Sequence, residues 1–156
     1  MEDLIGWGQE LGFAEVEPGQ GELVRLADER VGFAIAERQE LVAVEISRRD
    51  GDGELLGAFD DVEDARRFLA LELGVLHRGR SALPQLRATA TPPGYVLEET
   101  PTSLWLSWLT GSAEFPADYF SRRRAVMFSR VERAEVLEIH EAVLEPRGRP
   151  LFDEAA

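Results

Sequence analysis

Leu23-Val24-Arg25-Leu26, Val31-Gly32-Phe33-Ala34-Ile35 and Leu41-Val42-Ala43-Val44-Glu45-Ile46 are three short apolar runs whose reading decides the fold. In the last of them Val42, Val44 and Ile46 fall on one side of an extended backbone. Ala43, Glu45 and Ser47 fall on the other, because successive strand side chains alternate. Turn residues at Pro18-Gly19, Asp28-Glu29 and Arg38-Gln39 part the runs, and Asp50-Gly51-Asp52-Gly53 reads as a hairpin tip leading into a strand at 54–59. Short strands joined this tightly specify an antiparallel meander with one buried face.

Outward from the meander the period lengthens. Leu4, Ile5, Trp7 and Leu11 predict a helix over 3–11, stopped by Gly12. Val62, Ala65, Leu69, Leu73 and Leu76 form a helical stripe, so a helix of about 61–73 packs on the sheet. Asp60 is its expected cap, with Glu63 three residues on. Pro84, Pro92 and Pro93 make 79–94 a connector. Beyond it, Gly94 to Glu99 and Leu104 to Leu109 repeat the pattern of Gly12 to Glu17 and Leu23 to Leu26. Phe120-Ser121 before Ala125 and Phe128 repeats Phe59-Asp60 before Ala65 and Phe68. Residues 122–144 are helical by composition, with a break near Val131. The expectation is an α+β fold, an antiparallel sheet with helices packed on one face. It is read as a single domain, 1–156, with two degenerate strand-strand-helix halves, 1–78 and 94–156, joined by the Pro-rich loop 79–93.

The 156 residues suit one core, and 44% hydrophobic content is that of an ordinary globular chain. No apolar run approaches the roughly 20 residues of a membrane span. Met1-Glu2-Asp3 is acidic where a secretory signal would be basic, so the expected location is the cytoplasm, and the absence of cysteine agrees. A formal charge of −13 argues against nucleic acid and anionic membranes and favours a basic protein surface as partner.

Candidate chemistry is sparse. His77 and His140 lie far apart in the chain, neither with a ligand at metal spacing. Asp50-Gly51-Asp52-Gly53-Glu54 has the opening of a calcium loop, but its glycine comes early and position twelve is Asp61 where a glutamate is required. The serines lack a nucleophile-elbow context. No catalytic residue, metal or cofactor is therefore assigned. Asp60, Asp61, Glu63 and Asp64 suit the positive end of a helix dipole and could also face a basic partner. Trp105 and Trp108, three apart in a strand, must face opposite ways, one toward the core and the other exposed or half-covered. Arg122-Arg123-Arg124 reads as a solvated helix start or as partner to the acidic half. The candidate partner-binding residues are Asp50, Asp52, Asp60, Asp61, Asp64 and Trp108.

The run Asp61 to Leu69 with Leu71 to Gly74 behind it, the segment Arg124-Ala125-Val126-Met127-Phe128-Ser129 and the ending Glu145-Pro146-Arg147-Gly148-Arg149-Pro150-Leu151-Phe152 resemble the immunity protein 61 family. That family is similar to the immunity factor of the tuberculosis necrotising toxin. The resemblance implies a cytoplasmic antitoxin that binds a cognate polymorphic toxin domain and blocks its active site sterically; in the best-known pair that domain hydrolyses NAD, and the acidic charge of this chain points to a basic active-site cleft. Two other readings stay open: a small acidic secretion chaperone or adaptor, and a minor enzyme working through carboxylates.

Overall fold

A computed structural model describes residues 1–48 and 53–153. The proposed hairpin tip with Asp50 and Asp52 lies outside the described residues. Five strands, β1 (Ala14–Val16), β2 (Glu22–Ala27), β3 (Val31–Arg38), β4 (Leu41–Arg48) and β5 (Glu54–Phe59), form the expected meander. Three more, β6 (Val96–Glu99), β7 (Ser103–Trp108) and β8 (Gly111–Pro116), form a second. The two meet where β5 pairs with β8, giving one eight-stranded antiparallel sheet in the order β1-β2-β3-β4-β5-β8-β7-β6. With four helices, α1 (Glu2–Glu10), α2 (Val62–Arg80), α3 (Ser121–Ser129) and α4 (Val136–Leu144), the fold is α+β as expected.

Alternation decides which face is covered. Val24, Leu26, Phe33, Ile35, Val44, Phe59, Leu106 and Phe115 point into the core, where α2 lies on β3, β4 and β5 and α3 lies on β7 and β8. At the β5–β8 seam Phe59 meets Phe68 and Phe128 at ring-centroid distances of 5.1 Å each and Phe115 at 6.0 Å. Each such ring contributes about 1.5–3 kcal/mol by leaving water. The other face carries Ala34, Ala36, Ala43 and Ala58, small residues roofed by ion pairs. Arg38 reaches Glu45 at 3.0 Å across the Ala36–Ala43 row, and Arg25 holds Glu22 at 2.6 Å.

α2 and β8 depart most from the sequence reading. α2 runs 19 residues to Arg80, well past 73, so the connector begins at 81. Gly74 is no stop signal: a Cβ there would lie 2.7 Å from the Val143 side chain, and the glycine lets α4 press onto α2. β8 has no counterpart in the sequence reading, because in Gly111-Ser112-Ala113-Glu114-Phe115-Pro116 only Ala113 and Phe115 mark the buried face. The break near Val131 does separate α3 from α4.

Arg78, 2% exposed, ties the helices to the connector. Its guanidinium donates to the carbonyls of Pro84, Val143 and Pro146, each at 2.8 Å, and of Glu145 at 2.9 Å. Three of these lie at or just beyond the C-terminus of α4, where unpaired carbonyls and the helix dipole favour a cation. Among the described residues no helix is long and apolar enough to cross a membrane.

Candidate functional site

The acidic start of α2 is placed one residue later than expected. Asp61 is the N-cap and accepts the Asp64 N–H at 2.9 Å, whereas Glu63 turns to Arg66 at 2.6 Å. Asp60 is occupied by β8: it accepts the Ser112 N–H at 2.7 Å and faces the Ser112 hydroxyl at 3.3 Å. The capping assignment of Asp60 failed because the strand that claims its carboxylate was itself unseen. Asp64 is 4% exposed and contacts Arg67 at 3.1 Å. Burial, then the carboxylates of Asp61 and Glu132, push its pKa up to about 6, against the pull of Arg67.

Trp108 lies on the helix-covered face with Leu104 and Leu106, its ring 5.8 Å from Phe128 and 6.0 Å from Tyr95. A Cβ on Gly111 would sit 3.2 Å from the Trp108 ring and 3.3 Å from the Asp60 carboxylate, so the two side chains flank this glycine. Tyr95 donates its hydroxyl to Glu132 at 2.6 Å, and burial together with that carboxylate pushes the phenol up to about 12. Four sequence-selected residues, Asp60, Asp61, Asp64 and Trp108, thus converge on one corner of the sheet. Sequence reasoning missed Tyr95, Glu132 and the hairpin-tip residue Leu109, which is 96% exposed and adjoins Trp108. A large apolar side chain at a two-residue turn was the available signal for Leu109, and it needed β8 to be recognised. Trp105 points to the face without helices, beside Glu98 and Glu114 in register, and is half-buried there.

The histidines, remote in sequence, meet across Trp7. His140 stacks on the indole at 3.7 Å and His77 meets its edge at 6.4 Å, while His140 Nε2 lies 3.2 Å from Glu10. Among the described residues no group of three His, Cys, Asp or Glu side chains is arranged to hold a metal ion. Arg122 pairs with Glu99 at 2.8 Å and Arg124 with Glu72 at 3.3 Å, so the basic run is drawn into ion pairs. Burial raises the Glu72 pKa while Arg124 opposes it. Glu72 borders a cavity of about 60 Å³ between α2 and α3.

Residues 7–151 match the family described as immunity protein 61. A solved structure, Rv3902c from M. tuberculosis, aligns over 99% of this chain and 94% of that chain with a TM-score of 0.79 at 21% identity, a likeness of fold. Among curated proteins none matches.

Proposed function

The chain belongs to the immunity protein 61 family, and we propose that it is an antitoxin that binds a cognate toxin domain and occludes its active site without itself catalysing a reaction. The family match over residues 7–151 carries this reading. The contact surface proposed is the corner at the start of α2 and the β7–β8 turn. Leu109 and Trp108 supply apolar anchors, Asp60 and Asp61 supply negative charge, and buried Asp64 with Arg67 holds the corner in shape. Asp50 and Asp52 are proposed as further acidic contacts.

The physical logic is a division of labour. A net charge of −13 speeds encounter with a basic cleft, and apolar anchors at the centre of the contact set how long the complex lasts. The proposed setting is the cytoplasm of the producing cell, and an NAD-hydrolysing toxin is the reaction class proposed for the target. Co-expression with the product of the adjacent gene tests this. A stable complex and restored growth are expected; free toxin and no rescue would dismiss the antitoxin reading. Co-purification with the toxin still active would favour a secretion chaperone instead.

A further inference from the structure

The eight-stranded sheet ends on two unlike edges. At one, β1 has three residues and α1 packs against it. At the other, β6 presents Val96-Leu97-Glu98-Glu99 with only β7 beside it. The Thr100 N–H bonds to the Ser103 carbonyl at 2.8 Å, which aims the backbone of Thr100 toward β7. Strand groups alternate in direction, so Glu98 and Val96 also face β7 and the N–H and C=O groups of Leu97 and Glu99 face outward. Among the described residues these outward groups have no backbone partner across the edge. Such a row is a template for another strand.

The side chains say which strand fits. Val96 is 53% exposed, Glu98 is exposed on the same face as Val96, and Glu99 on the other face pairs with Arg122 at 2.8 Å, so the edge offers one apolar contact with the negative charge of Glu98 beside it. A second copy paired antiparallel here would bring two Glu98 carboxylates onto the same face, which opposes self-association. A segment carrying Lys or Arg meets the opposite situation. Tyr95, just before β6, contacts Trp108, so this edge is continuous with the proposed corner.

We infer that the outer edge of β6 receives an extended basic segment of the toxin as a ninth strand, bound through the backbone of Leu97 and Glu99 and selected by the carboxylate of Glu98. This rests on the antitoxin reading. Hydrogen exchange on the complex with the adjacent gene's product tests it. The Leu97 and Glu99 amides should exchange rapidly in the free chain and about 100-fold more slowly in the complex. Glu99→Pro removes an outward N–H and no backbone bond, and gives up only the exposed ion pair with Arg122, so it should weaken binding about tenfold with the melting temperature changed little. Glu98→Arg should weaken it as well, with Glu98→Gln intermediate. A complex in which both amides exchange as fast as in the free chain would overturn the inference while leaving the antitoxin reading intact. So would a concentration-dependent dimer of the free chain that protects these amides. Absence of any complex would remove both.

Discussion

Shortening Leu109 to alanine should weaken toxin binding by about 30-fold without touching the fold. Leu109 is 96% exposed at the tip of the β7–β8 turn, so the unbound protein gains almost nothing from its side chain. Substitution at such a surface position changes stability by less than about 0.5 kcal/mol. In a contact that buries it, each lost carbon removes about 0.8 kcal/mol, and the three carbons separating leucine from alanine give roughly 2 kcal/mol after incomplete burial at the rim. That is about 30-fold in Kd. The assay is calorimetric titration of wild-type and Leu109→Ala chains against the toxin domain, with urea unfolding midpoints measured alongside. Equal affinities with a formed complex would refute the placement of the contact at this corner. A shifted unfolding midpoint would refute the claim that Leu109 is free of the core.

Three other perturbations probe the scaffold. Arg78→Met strands four carbonyls, of which that of Val143 is the most enclosed, and should cost about 3–5 kcal/mol in urea unfolding, with Arg78→Lys intermediate. Gly74→Ala forces a methyl into Val143 and should cost about 1–3 kcal/mol, with Val143→Ala restoring part of the loss. Asp64 has a folded pKa raised to about 6 from 3.8, so the native state holds its proton more tightly, and this group's contribution to stability is fullest below pH 4 and declines as pH rises through 6. Asp64→Asn should therefore flatten the stability profile between pH 4 and 6, measured by unfolding midpoints across pH; an unchanged slope would contradict the assignment.

Local patterns carried much of the architecture. The alternation in Leu41 to Ile46 and the stripe from Val62 to Leu76 each encode an element through its own neighbours, and both elements are present. β8 carries too few large residues to announce itself, and its omission propagated: Asp60 could not be seen as its anchor, so the cap was assigned one residue early. Within a strand, Trp105 and Trp108 were legible as facing opposite ways, but which of them lay under helices depended on α3. The corner itself joins Tyr95 to Glu132 and Trp108 to Asp60 across long stretches of chain, an apposition made by packing rather than by spacing. The stacking of His140 on Trp7 has the same origin.

Mixing the purified chain with the product of the adjacent gene in equal amounts, and following both heat of binding and the toxin's turnover, asks the central question directly. Saturation at one chain per toxin with turnover abolished at that ratio is the predicted result. Full turnover in the presence of excess chain would contradict inhibition by occlusion.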